Sequence, residues 1–296
     1  WSSDVCSSDL NYIDFAGSGI VHLCGGVSAL IGAIVTGPRN GRWENPEDFT
    51  PHSLPLVVLG TFLLWFGWYG FNCGSTLGLH DASTGMLAAQ VAMNTTISAA
   101  TGGLTVFFIQ YAIIRLYDIG ALCNGILAGL VSITAGCGNV ESGSAFTIGL
   151  LGGCFYLCGS MTLKKLKIDD PLDAFPVHGV CGCWGVLAAG LFDFGTGFDH
   201  AHGWNGWDCT RGTDGECLKN AGGQLFLANL VEVLAVVAWV GTWSTALFVL
   251  LRKVGWLRAA DTCQELGMDC KHSPPKAYAL EDAQEKRLSG TFPAGV

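Results

Sequence analysis

Apolar residues fall in long runs separated by short polar connections, and about 20 residues of such a run suffice to cross a bilayer. Seven runs meet that length: Phe15–Thr36, Leu54–Cys73, Met86–Ile114, Ile119–Gly138, Ala145–Leu163, Ala174–Phe194 and Gly222–Leu251. The pattern predicts an all-α polytopic membrane bundle over residues 11–257. A polar tail over 258–296 contains Pro274 and Pro275. The last run is long enough to tilt or to project beyond the bilayer. The first ten residues, WSSDVCSSDL, are Ser/Asp-rich against an apolar span and read as non-native sequence.

Basic residues fix an expected orientation. Arg39, Arg42, Arg115, Lys164, Lys165, Lys167, Arg252, Lys253 and the tail lie on one side, and only Arg211 and Lys219 on the other. The positive-inside rule places the tail in the cytoplasm and the loop Gly195–Ala221 outside. In that loop Cys209 and Cys217 are either free thiols or a disulfide. His200 and His202 alone make a weak metal site, and a solvated loop is the expectation.

Composition sharpens this picture. Half of the 296 residues are hydrophobic and 13% are charged, with 42 glycines, about twice the usual frequency. Glycines inside apolar runs indicate helices packed through small residues. The net charge of -9 arises in loops and tail, and no basic patch with interleaved aromatics suggests nucleic acid. The 13 cysteines are mostly scattered through spans, as small apolar residues. Neither a nucleophile–base set nor metal-ligand spacing points to an enzyme, a metal or a cofactor.

Two histidines interrupt glycine-rich apolar runs: His22 in DFAGSGIVHLCGG and His178 in DPLDAFPVHGVCGCWG. An ionisable group inside a span is a functional candidate. The two spans cross in opposite directions, the signature of an inverted repeat with a midplane site. A pair of core histidines satisfied by backbone or by each other is the alternative. Gly25, Gly26, Gly179 and Gly182 would let the two backbones approach. Asp14 and Asp173 open the two spans, and each is read as an N-cap or as a charge favouring a cation at the mouth. For Asp14 the expected donors are the amides of Ala16 and Gly17. Asp169 and Asp170 are expected to pair with Lys164–Lys167. Trp68, Phe71 and Ser75 share one helical face, which could hold a small cation or simply pack.

DFAGSGIVHLCGGVSALIGAIVTG, WFGWYGFNCGST, AGLVSITAGCGNVESGSAFTIGLLGG and DDPLDAFPVHGVCGCWGVLAAGLF together resemble the ammonium transporter family (Amt/Mep/Rh), nearest its Amt/Mep branch, over Asn11 to Arg258. The resemblance implies an inverted-repeat fold of eleven spans, of which these seven are the fifth to the eleventh. It also implies a homotrimer in the plasma membrane with one pore per subunit. His22 and His178 would be the paired pore histidines and Phe71 one gate phenylalanine. Trp68 and Ser75 would line the pore and the outer recruitment site, with Asp14 structural beside it. Thr134 matches a family position and is given no chemistry. The implied function is recruitment of ammonium, its deprotonation, and passage of ammonia past the histidines, with proton co-movement open. An ammonium sensor or a gas channel on the same fold are the alternatives. The segment around Glu265, Gly267 and Asp269 resembles the family's regulatory tail, where a cytoplasmic regulator would dock.

Overall fold

The computed structural model describes residues 12–193, 209–211, 217–220 and 224–266. Among the described residues seven apolar helices occur: α1 (Ser18–Thr36), α2 (Leu54–Gly74), α3 (Ala82–Ile114), α4 (Ile119–Thr134), α5 (Ser142–Lys165), α6 (Phe175–Phe192) and α7 (Gln224–Lys253). A short helix α8 (Asp261–Leu266) follows, and β1 (Cys209–Arg211) pairs antiparallel with β2 (Cys217–Asn220) between α6 and α7. The expected helical membrane bundle is thus observed, with one small ribbon added.

The bundle is apolar outside, and polar side chains are buried within its apolar core. Leu63, Phe66, Phe108, Leu234 and Trp239 are exposed, whereas Asn72, Asn94, Thr95, Ser98, Thr134 and Asn229 are fully buried. Buried polar groups in such a bundle bond between helices. Asn72 donates to Thr95 Oγ1, Ser98 to the Gly129 carbonyl, and Asn94 to the Cys137 and Val140 carbonyls. Asn229 of α7 accepts from Ile13 N and donates to Ile13 O and Val186 O, tying α7 to both histidine spans.

Helix α4 sits at the centre, with Leu130, Val131 and Ile133 fully buried. It stops at Thr134 instead of continuing to Gly138, as the apolar run predicted. At 1.5 Å per residue it is about 24 Å long, short of the hydrocarbon thickness of about 30 Å. The chain continues as a buried turn through Val140. Irregular backbone is tolerated at that depth when protein covers it. The carbonyls freed at the end of α4 are taken up by the segment before α1: Phe15 N donates to Ala135 O and Ala16 N to Thr134 O. Ser18 Oγ donates to Val131 O and accepts from Ala135 N.

At one end of the bundle the loops after α1, α5 and α7 converge. Asp169, whose side chain is 2% exposed, takes two hydrogen bonds from the Arg39 guanidinium at 2.8 Å and another contact from Arg42 at 3.3 Å. Burial alone pushes the Asp169 carboxyl up, but the Arg39 hydrogen bonds and the two positive charges outweigh it and hold the group below the usual carboxylate range. These arginines lie more than a hundred residues away, so the expected pairing with Lys164–Lys167 is replaced by a long-range one. Arg258 and α8 dock on the same loop: Arg258 donates to Thr36 O, Gly37 O and Asn40 Oδ1, and Asn40 Nδ2 donates to Asp261. Basic residues that the sequence assigns to one side therefore meet at one end.

Candidate functional site

The two histidines occupy matching backbone. Each lies in one turn of π-helix at the start of its span, Ser18–Leu23 in α1 and Phe175–Val180 in α6. His22 N reaches back five residues to Gly17 O at 3.1 Å. Single π turns inside α-helices occur often at functional sites because they re-aim side chains. Gly17 precedes the first turn with φ 99°, a conformation that favours glycine.

Carboxylates hold both π turns. Asp14 Oδ2 accepts from Gly19 N and Ile20 N at 3.0 Å each. The donors are not Ala16 and Gly17 as expected, because Ala16 is committed to Thr134 and the helix begins only at Ser18. In α6 the same task falls to Asp170, whose Oδ2 accepts from Phe175 N at 2.8 Å. Asp173, expected there as a cap, instead accepts from Tyr156 OH and Ser160 Oγ, both at 2.8 Å, in a left-handed conformation with φ 52°. Asp14 precedes His22 by eight residues and Asp170 precedes His178 by eight. That equal spacing was the sequence signal for the true counterpart of Asp14.

The two turns cross in close contact. A Cβ at Gly26 would collide with the backbone of Gly179 and would lie 2.7 Å from the His178 carbonyl carbon. A Cβ at Gly182 would lie 2.7 Å from Ser18 O and 2.8 Å from Leu23 N. Gly25 has open space and takes no part. The crossing brings His22 Nδ1 to 3.2 Å from His178 Nδ1, with the rings 15° from parallel. His22 is buried and His178 half-buried.

An Nδ1–Nδ1 hydrogen bond dictates tautomers. One Nδ1 carries the proton and the other accepts it. In the neutral pair, the donor ring then has a bare Nε2 and the acceptor ring an Nε2–H. The pair offers one acceptor and one donor beyond its own bond. His22 Nε2 is buried without a partner.

Aromatic groups of α2 wall the pair. Trp68 stacks on His22 with centroids 5.0 Å apart and planes 10° apart. Phe71 meets the His22 ring edge-on at 5.7 Å and Trp68 at 6.0 Å. Trp68 is fixed by its indole N–H, which donates to Thr134 Oγ1 at 3.0 Å. Thr134 in turn donates to Leu130 O. Thr134, given no chemistry from sequence, thus anchors the aromatic wall. Ser75 lies one turn beyond Phe71, and its hydroxyl donates back to Phe71 O at 2.9 Å, leaving its oxygen as an acceptor. The four residues His22, His178, Trp68 and Phe71 are therefore in one contact group, with Ser75 beside it and Asp14 behind it. Among the described residues no cluster suited to a metal occurs. Cys209 and Cys217, His200 and His202, and the tail around Glu265, Gly267 and Asp269 lie outside the described side chains.

The sequence pattern of the Ammonium Transporter Family matches residues 1–278. The chain belongs to the ammonium transporter family. It is 36% identical to "Ammonium transporter 1 member 1" of Solanum lycopersicum over 296 residues, 95% of this chain and 60% of that protein. It is 37% identical to "Ammonium transporter Amt2" of Archaeoglobus fulgidus over 269 residues, 90% of this chain and 55% of that protein. Among solved structures it resembles one titled "Sensor Amt Protein" (TM-score 0.73, 33% identity, 89% of this chain and 61% of that one). It also resembles Mep2 of Saccharomyces cerevisiae (TM-score 0.69, 33% identity, 83% and 54%). The chain thus spans little more than half the length of the relatives it matches.

Proposed function

We propose that this chain forms part of a membrane ammonium transporter, in which ammonia passes the His22–His178 pair. The observation that carries the proposal is the Nδ1–Nδ1 contact at 3.2 Å between mirrored π turns, walled by Trp68 and Phe71. A bare monovalent cation entering such an apolar passage bears an idealised desolvation cost of order 20 kcal/mol. Ammonium avoids most of that by leaving a proton at the mouth, whereas potassium has no proton to lose. Ammonium is recruited near Ser75 and Trp68, and ammonia then moves past Phe71. At the histidines the bare Nε2 accepts an ammonia N–H, and the Nε2–H of the other ring donates to the ammonia lone pair. The same pair can relay a proton by exchanging tautomers.

The convergence of Arg39, Arg42, Arg252 and Arg258 at one end supports a cytoplasmic position for that end and for the tail; the plasma-membrane homotrimer rests on the family resemblance alone. The docking of α8 on the loop after α1 supports a regulator acting through the tail. A sensing role is the second reading, favoured by the likeness to the structure titled "Sensor Amt Protein".

The test is methylammonium uptake by the full-length protein in yeast cells without ammonium transporters of their own. His22→Ala and His178→Ala are expected to abolish uptake or to admit potassium. Unchanged uptake with potassium still excluded in both variants refutes the pore role. Robust ammonium binding without uptake in the unmodified protein favours the sensor.

A further inference from the structure

Glu232 is an acidic residue in the first third of α7, within a run that is otherwise uncharged up to Arg252. Neither of its carboxylate oxygens has a hydrogen-bond donor, and both are buried. It faces Asp14, and its Oε1 fills the space that a Cβ at Gly19 would need, beside the amide that Asp14 holds. Asp14 is half satisfied: Oδ2 takes the amides of Gly19 and Ile20, while Oδ1 is buried without a donor. Three orphaned acceptor atoms thus meet in one place, and buried carboxylate oxygens without donors are strongly disfavoured.

Among the described residues the surroundings supply no cation. Asp14 is the charged group that acts on Glu232 among the described residues. From the turn after α4 the neighbour of Asp14 is the thiol of Cys137. From α6 the contact beside Gly19 is the methyl of Val186. On α7 itself Asn229 is committed to Ile13 and Val186. On α1 the one group able to become a cation is His22, engaged with His178. Two carboxylates in contact without a counter-ion cannot both ionise; one keeps its proton and donates it to the other. Asp14 already receives two backbone N–H groups, which favour its charged form. Glu232 receives none.

We propose that Asp14 and Glu232 share one proton, carried on Glu232 and donated to Asp14 Oδ1, so that Glu232 is a positioning residue for the π turn bearing His22. The proton joins two of the three orphaned oxygens in one bond and leaves the carbonyl oxygen of Glu232 as a neutral acceptor, which costs less to bury than a charged one. The carboxylate of Asp14 is then held from α7 on one side and grips the amides of α1 on the other, which fixes the entry to the His22 turn. The pair carries a single negative charge at neutral pH. Only the link to His22 rests on the transport reading; the proton itself does not.

The test is infrared spectroscopy of the chain in lipid at neutral pH. A buried carboxylic-acid carbonyl band is expected, shifted by 13C-carboxyl glutamate, unmoved by 13C-carboxyl aspartate, and absent in Glu232→Gln. No acid band at neutral pH overturns the shared proton. A band that moves with labelled aspartate overturns its placement on Glu232. The labelling uses the unmodified sequence, so a variant that fails to fold leaves the decision intact. For the positioning role, Glu232→Gln, which keeps a donor toward Asp14, is expected to retain methylammonium uptake in the full-length protein, and Glu232→Leu to lose most of it. Equal uptake by the two variants overturns that role. Should His22→Ala and His178→Ala both leave uptake unchanged with potassium still excluded, the pore role of the histidines fails while the infrared result still stands or falls by itself.

Discussion

Replacing Gly26 by alanine probes the crossing on which the histidine contact depends. The added Cβ would lie 2.7 Å from the His178 carbonyl carbon and closer still to the backbone of Gly179. The obstruction is backbone, so no side chain can rotate away. Clearing the His178 carbonyl carbon to an ordinary 3.4 Å requires the helices to separate by about 0.7 Å, and clearing the nearer Gly179 backbone requires more. The Nδ1–Nδ1 distance of 3.2 Å then opens past the reach of a hydrogen bond. Overpacking of this kind costs about 1–3 kcal/mol. Gly25→Ala, where the Cβ meets open space, is the control. Thermal unfolding of the purified protein in detergent should show Gly26→Ala clearly less stable and Gly25→Ala close to the original. Methylammonium uptake by the full-length protein should fall in the first and persist in the second. If Gly26→Ala matches Gly25→Ala in both measurements, the backbone contact does not set the histidine geometry and the reasoning fails.

Other outcomes follow from single contacts. Thr134→Val keeps the shape but strands the buried indole N–H of Trp68, a loss of about 1–3 kcal/mol. Thr134→Ser should recover most of it, and equal unfolding temperatures for all three would refute the anchor. Asp169 has a depressed carboxyl pKa in the folded chain, so its contribution is present above the unfolded carboxylate range and is lost as pH falls through the folded value. Stability measured against pH should therefore drop on acidification, and the drop should shrink in Asp169→Asn, which is itself less stable at neutral pH; an unchanged acid limb would refute it. Arg39→Lys should weaken the same site, because a lysine cannot make the two-point contact with Asp169.

The helices themselves were legible in the chain. Runs such as Leu54–Cys73 and Ala145–Leu163 have the length of a bilayer crossing, and hydropathy registers transfer from water whether lipid or protein receives the side chain. His22 and His178 stood out for the same reason, since an ionisable group inside such a run is costly and two of them in similar glycine-rich spans favour a functional role over core packing. What hydropathy cannot register is which groups meet. Helix α4 ends at Thr134 because amides of Phe15 and Ala16, more than a hundred positions away, take its last carbonyls. Asp173 and Asp170 exchanged roles because the cap is set by where the π turn starts, and Tyr156 and Ser160 wait beside Asp173. Asp169 found Arg39 rather than its neighbouring lysines because loop convergence, not proximity in sequence, decides ion pairs. Glu232 passed unremarked in the sequence, one charge in a long apolar helix, and acquires meaning only opposite Asp14. Residue type and spacing decided what could enter the membrane; the packing of α1, α6 and α7 decided which buried polar atoms could satisfy one another, and so where the site lies.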